Sequence, residues 1–319
     1  MLLSRVADAL YWISRYLERA EHIARLIDVR LDLGLDRRRG VPDRDGAWEF
    51  ERLYAALRLV PPEGVGALGP ASLVDAMMFD ASNRDSVLSC VTAARENARQ
   101  VREEISSEMW EQINALFLRI KQAQRERTSL ARPHYLSRAV IEGVHLFQGV
   151  TDATMGHGEG WQFLQVGRYL ERAGTTAALV DLHVKTGAEA GAGPAEWLGL
   201  LRSCAALEAY CRFYTADLRP RRIVEFLLLN VEFPRSVRFA AARVESALRT
   251  IAQQTGRGAR GRAERLAGRL HASLDYGQVD EILDDPHAFL DGITRHAAQI
   301  HSAIYQSYVM YSIESALPA

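Results

Sequence analysis

The sequence predicts an all-α fold, and three observations carry that prediction. Apolar residues recur at spacings of three and four along nearly the whole chain, the period of a helix with one buried face. Strand-like alternation bounded by turns is scarce. The hexapeptide Arg15-Tyr16-Leu17-Glu18-Arg19-Ala20 returns unchanged at Arg168-Tyr169-Leu170-Glu171-Arg172-Ala173, 153 residues further on, with the same helical period around both copies. The match continues in register, since Ala24, Leu26 and Asp28 recur as Ala177, Leu179 and Asp181. A repeat of this kind predicts a single multi-helix bundle over 1–319, built from two pseudo-repeated halves, about 1–156 and 157–319, that pack through their Arg/Glu helices.

In the first copy Ile13, Tyr16, Leu17, Ala20, Ile23, Ala24 and Ile27 share an apolar arc, with Arg15, Glu18, Arg19, His22 and Arg25 opposite. In the second copy Gly174, Thr175 and Ala178 stand where Glu21, His22 and Arg25 stood, while Arg168, Glu171 and Arg172 remain. Leu26 and Leu179 lie on the polar arc, so that arc is expected to be covered, and covered charges need partners. Arg15 with Glu18, and Arg168 with Glu171, are at i,i+3 and within reach on one helix. Arg19 diverges from Glu18 by about 100°. Its partner must come from elsewhere, and the other half's glutamate is the economical candidate.

Taken in order, the first helix is predicted from the N-cap Ser4 to Leu33, with Gly34 as its stop. Residues 35–47 read as an exposed loop, 48–59 as a helix, Pro61-Pro62-Glu63-Gly64 as a break, and 71–79 as a short helix. Asn83 is expected to cap a helix over 84–104, whose stripe is Val87, Val91, Ala94, Ala98 and Val101. A helix over 108–127 follows, and Pro133 opens another to about Met155. Glycines 156, 158 and 160 form a turn, and Trp161 opens the second repeat helix, expected to end near Lys185. Residues 187–194 are the clearest loop. Helices are predicted over 195–216 and 222–229, then from Pro234 with a stripe of Val237, Ala241, Val244, Leu248 and Ile251 that parallels the earlier stripe at an offset of 150. A basic hinge at 256–261 precedes helices over 263–274, 279–283 and 286–312, the last with Tyr305, Tyr308 and Tyr311 on one face.

Composition excludes several classes. The 319 residues carry 48% hydrophobic and 25% charged side chains with a net charge of -1, so neither a broadly basic nucleic-acid binder nor an acidic tail is indicated. The only lysines are Lys121 and Lys185, an arginine bias that base composition of the genome explains most simply. Cys90, Cys204 and Cys211 show no disulfide framework and no C-x-x-C spacing, which fits a reducing cytosol. Cys204 and Cys211, seven apart, are expected on one face of a helix as core residues. No leader and no run near the ~18 apolar residues of a spanning helix is visible. A soluble, cytoplasmic protein with no membrane segment is expected.

Chemical motifs are few. Glu142-Gly-Val-His145 is one Glu-x-x-His without the second copy that a di-iron bundle needs, so no metal is expected. There is no G-x-S-x-G, nothing that ties Cys90 to a histidine base, and no phosphate loop, so no cofactor is expected either. The duplicated Arg/Glu helix remains, with two readings. It is a buried ion-pair network that locks the halves in register. Or it is a pocket where Arg15, Arg19, Arg168 and Arg172 receive a carboxylate or phosphate, with Glu18 or Glu171 as the catalytic acid or base.

A set of motifs then points to a family. Leu3-Ser4-Arg5-Val6-Ala7-Asp8 with Tyr11-Trp12-Ile13, the Glu18-Arg19 pair, Ala94-Arg95-Glu96-Asn97-Ala98 with Glu108-Met109-Trp110, and Gly160-Trp161 leading to Gly167-Arg168-Tyr169-Leu170-Glu171-Arg172 resemble the bacterial alpha-E domain. That helical domain takes its name from its Glu-Arg motif. The resemblance spans almost the whole chain and adds Arg95, Glu96 and Trp161 to the binding candidates. The resemblance also implies company. Similar proteins are encoded beside, or fused to, a circularly permuted ATP-grasp ligase, often with a transglutaminase-like peptidase. The leading expectation is therefore a non-catalytic helical partner, or substrate-presenting subunit, of a peptide or amide ligase system. The alternatives are an enzyme with an Arg/Glu active site between the halves, and a homo-oligomeric scaffold.

Overall fold

Helix formation follows the apolar period, and the ends follow local capping chemistry. The computed structural model describes residues 2–37, 54, 70–126, 133–190, 193–215, 217–256 and 261–309. Among these the chain is all-α, with no strand. The helices are α1 (Ser4–Arg37), α2 (Pro70–Phe79), α3 (Val87–Gln100), α4 (Ser107–Arg125), α5 (Pro133–Thr154), α6 (Glu159–Ala190) and α7 (Pro194–Ser203). They continue with α8 (Leu207–Tyr214), α9 (Pro220–Leu229), α10 (Val237–Gln254), α11 (Arg262–Asp275), α12 (Val279–Asp284) and α13 (Pro286–Ile304), which runs into a π turn over Tyr305–Val309. None of the described helices is long and apolar enough to cross a membrane.

Four helices, α1, α3, α4 and α5, close a ring in which each packs on the next. A second ring is closed in the same order by α6, α10, α11 and α13. The rings meet along α1 and α6, the two longest helices. Leu10, Ile13, Leu17 and Ile23 of α1 are fully buried, as are Phe163, Leu164 and Val166 of α6. The two backbones approach closely at Gly167, where an added Cβ would stand 2.3 Å from the Tyr11 carbonyl oxygen and from Ser14 Oγ. Only a residue without a side chain fits that crossing.

Several positions recur between the rings. The capping serines Ser86 and Ser236 each accept from a backbone N–H three residues on, at 3.1 Å. His134 of α5 meets Asp28 of α1 at 2.7 Å, and His287 of α13 meets Asp181 of α6 at 2.7 Å, each pair 106 residues apart.

The boundaries correct some expectations. Ser86, not Asn83, caps α3, because the Asn83 carboxamide is taken by the Asp85 N–H in a tight turn at 3.0 Å. Gly34 does not stop α1, which continues to Arg37 while Val29 and Leu33 pack over Gly199 of α7. Likewise α6 runs to Ala190, through the start of the loop expected at 187–194. The single helix expected over 195–216 is two, since Ala205 turns the chain with φ of 49°. Cys204 therefore ends α7 while Cys211 sits in α8, and they do not share a helix face. Tyr308 is buried, with its hydroxyl on Glu264 Oε1 at 2.5 Å, whereas Tyr305 is exposed. Tyr311, the loop beyond Arg37, the helix expected over 48–59 apart from the buried Tyr54, the Pro61–Gly64 break and hinge residues 257–260 lie outside the described residues.

Candidate functional site

The two Glu-Arg motifs face each other across the α1–α6 seam and exchange partners. Glu171 of α6 accepts from Arg15 Nε at its Oε2 and from Arg19 Nε at its Oε1, both at 2.7 Å. Glu18 of α1 accepts from Arg172 Nε at 2.5 Å and from Arg172 Nη2 at 2.8 Å, a two-pronged pairing across the helices. Arg235, from the loop before α10, adds a further contact to Glu18 at 3.6 Å, and Gln148 Nε2 of α5 donates to it at 3.3 Å. Both carboxylates are covered, at 2% exposure for Glu18 and 6% for Glu171.

This exchange bears on the i,i+3 pairs expected from the sequence. Arg15 reaches Glu171, not Glu18, and Glu171 is held by Arg15 and Arg19, not by Arg168. Each motif carboxylate thus takes two guanidinium N–H groups from the facing helix. Arg168 makes no ion pair among the described residues, and burial, then the like charge of Arg172, pull its guanidinium below the ordinary value. Arg95 and Glu96 pair with each other at 2.9 Å, and Arg95 also donates to Asn114 and lies over Trp110 and Phe117. Those partners belong to α3 and α4, so this pair forms a local ladder outside the seam. Trp161 stacks on His157 with ring centres 4.2 Å apart, and its buried indole N–H has no hydrogen-bond partner among the described residues.

The electrostatics follow from burial opposed by arginine. Burial alone would raise the Glu171 carboxyl, but Arg15 and Arg19 outweigh it and hold it at about 2. Glu18 is lowered in the same way by Arg172 and Arg235, and Glu21 falls well below the carboxylate range under Arg235, His145 and Arg25. Burial pushes His22 down to about 4, so its ring is neutral at pH 7. Both motif glutamates are therefore fixed anions near neutrality, without the proton that a general acid needs.

Beyond the shared pairs the seam is asymmetric. On the Glu18 side the network continues, with Glu21 accepting from Arg235 Nη2 at 2.8 Å and Arg25 Nε at 2.9 Å, and with His145 at 3.6 Å. On the Glu171 side it ends at Asp85, which pairs with Arg19. The counterparts of Glu21, Arg25 and His145, each 153 residues on, are Gly174, Ala178 and Ala298. These small residues border a cleft of about 350 Å³ between α1, α6 and α13, whose polar lining is Arg15, Arg19, His22, Asp85, Thr175, Thr294 and His301, with the buried Glu171 below. Arg15 Nη1 donates to the Tyr11 hydroxyl at 3.0 Å, and that hydroxyl is hydrogen-bonded to His301 Nδ1 at 2.9 Å. Burial and Arg15 lower the His301 pKa, which favours the neutral ring.

Sequence reasoning placed Glu18, Arg19, Glu171 and Arg172 together and missed Tyr11, Glu21, Asp85, Gln148, Arg235 and His301. A signal existed for two of them. Asp85 and Arg235 each stand just before a capping serine, 150 residues apart, in the register of the two apolar stripes.

Fold and seam define the class, an all-α protein of two joined four-helix rings with an arginine–glutamate lock between their first helices. The chain belongs to the Alpha-E family, described as a predicted alpha-helical domain with a conserved ER motif, which it matches over residues 2–309. Among similar curated proteins are an uncharacterized protein of Mycobacterium bovis and one of Mycobacterium tuberculosis. Each is 25% identical over 336 aligned positions that cover 98% of this chain and 37% of the relative. The chain thus spans little more than a third of their length. No solved structure matches.

Proposed function

We propose that this chain is a non-catalytic helical partner of an ATP-grasp peptide or amide ligase, docking the ligase or presenting its substrate. The observation that carries the reading is the state of the two motif glutamates. Each is buried, ionised and held by arginines, Glu171 by Arg15 and Arg19, Glu18 by Arg172 with Arg235 beside it. Such carboxylates hold helices in register and are poor acid–base catalysts, which weighs against the enzyme alternative. The length of the mycobacterial relatives supports a domain that works as part of a larger assembly. The same reading takes the two rings as copies of one unit, supported by the matching His–Asp pairs and capping serines. The ligase itself and the peptidase-like neighbour come from the family resemblance, and the cytoplasmic setting from the cysteine pattern of the sequence.

The test is reconstitution. The chain and the ligase encoded with it are expected to co-purify, and ligase turnover is expected to fall when the chain is left out. Failure to associate, with turnover unchanged, would overturn the proposal. Turnover by the isolated chain that Glu171→Gln abolishes while the fold persists would favour the enzyme alternative instead.

A further inference from the structure

The cleft on the Glu171 side has a counterpart inside the same molecule, and that counterpart says what it lacks. On the filled side Arg235 pairs with Glu21, a cation on an anion at 2.8 Å. On the open side Asp85 stands at the position of Arg235 and Gly174 at that of Glu21, so the charge at the loop is reversed and Asp85 takes Arg19 as its partner on one oxygen. The Asp85 oxygen that Arg19 leaves free is the place where a cationic group completes the open side. One oxygen of Asp85 is on Arg19, and its Oδ2 makes no hydrogen bond among the described residues.

A bare cation does not fit the rest of the lining. Arg15 and Arg19 stand in the same wall, and with Asp85 and Glu171 they bring the ionised groups of the cleft to balance. A ligand of net charge would leave a charge uncompensated in a half-covered site. A bare anion fits no better, because both arginines are already committed to carboxylates. Groups do remain for an anionic end, in Arg19 Nη2, which has no bond among the described residues, and in His301 Nε2, a donor in the tautomer that accepts from the Tyr11 hydroxyl at Nδ1. His22 lines the cleft at 5% exposure, and its ring Nε2 is buried without a hydrogen-bond partner among the described residues. Ile23, Leu170, Ala178 and Ala297 supply apolar walls, and the volume is at the lower end of the ~300–1,000 Å³ usual for small-molecule sites.

We propose that this cleft binds a net-neutral zwitterion of amino-acid size, with its cationic group on Asp85 and its anionic group toward Arg19 and His301. The site stands whether or not the chain docks on a ligase.

Calorimetric titration of the full chain tests it directly. Alanine, serine and glutamine serve as zwitterions, propylamine as the cation alone, and propionate and inorganic phosphate as anions alone. At least one amino acid is expected to bind, with every single-charge probe at least tenfold weaker. Asp85→Asn is expected to weaken that binding tenfold or more. Gly174→Leu, whose side chain grows into open space, and Ala298→Leu on the opposite wall are expected to abolish it while the unliganded melting temperature is kept. The proposal is overturned if none of the three amino acids binds, if a single-charge probe binds as tightly, or if binding survives in both occluding variants.

Discussion

Arg172 and Glu18 show how much a single buried pair can hold. Arg172 also donates from Nη1 to the Pro234 carbonyl at 3.1 Å, so its loss leaves Glu18 with only Arg235 at 3.6 Å and Gln148 at 3.3 Å, and takes the donor from a backbone acceptor as well. Removing one partner of a buried pair costs about 3–5 kcal/mol, mostly the burden of the charge left behind. Arg172→Met is expected to lower stability by that amount in urea titration, and Glu18→Gln combined with Arg172→Met by less than the single change. His22 sets a pH dependence of definite sign. Its folded pKa of about 4 lies below the ordinary 6.5, so between those values the unfolded chain binds a proton that the folded one refuses. The contribution is fully present above pH 6.5 and is lost as pH falls through about 4, on the order of 3 kcal/mol in all. Glu171, held at about 2, adds a second loss that begins only below the ordinary carboxyl value of 4.5. Denaturation midpoints measured from pH 7 to 4.5 should therefore decline in the parent chain and stay flatter in His22→Gln. Equal slopes would show that His22 is charged in the fold.

Two glycines on one helix are predicted to respond in opposite directions. Gly167 lies where α6 crosses α1, and a methyl there meets the Tyr11 carbonyl at 2.3 Å, a backbone atom that cannot rotate away. Gly167→Ala is expected to cost about 1–3 kcal/mol or more by overpacking. Gly174, two turns further along the same face, has nothing within 4 Å of its added Cβ. Gly174→Ala should stabilise α6 by up to about 1 kcal/mol through helix propensity alone. Thermal melts of the two variants decide this, and a shared sign would contradict the crossing geometry. The repeated hexapeptide made α1 and α6 legible as elements, and the divergence of Arg19 from Glu18 pointed to a cross-helix partner. Gly174 and Ala178 mark the trimmed face of α6, but they do not show that it stays open, because openness also depends on Asp85 and on Ala297 and Ala298, brought in by the loop before α3 and by α13. The break at Ala205 was hidden for a related reason. A left-handed alanine has no residue signature, whereas the glycine at 256, with φ of 67°, does.

At the scale of the molecule, the exchange of partners ties the two rings into one unfolding unit. Chains of this length commonly unfold through intermediates, one subunit of structure at a time. Here such an intermediate carries a specific penalty. Opening the α6 ring withdraws Arg172 and Arg235 from Glu18, and opening the α1 ring withdraws Arg15 and Arg19 from Glu171. Either way the ring left standing must accommodate a carboxylate without its guanidiniums, or hydrate a helix face that was covered. The seam therefore raises the free energy of both half-open states, and the native and fully unfolded chains dominate. Calorimetric and van't Hoff enthalpies are expected to agree in the parent chain. Amide hydrogens of α1 and α6 should exchange only through global unfolding, while the short helices α8 and α12 exchange earlier. Arg172→Met, which disconnects the rings at one point without touching the core of either, should split the transition or lower the enthalpy ratio. A single unaltered transition in that variant, with α1 still the slowest to exchange, would mean that apolar packing alone couples the rings and that the charged lock serves register without cooperativity.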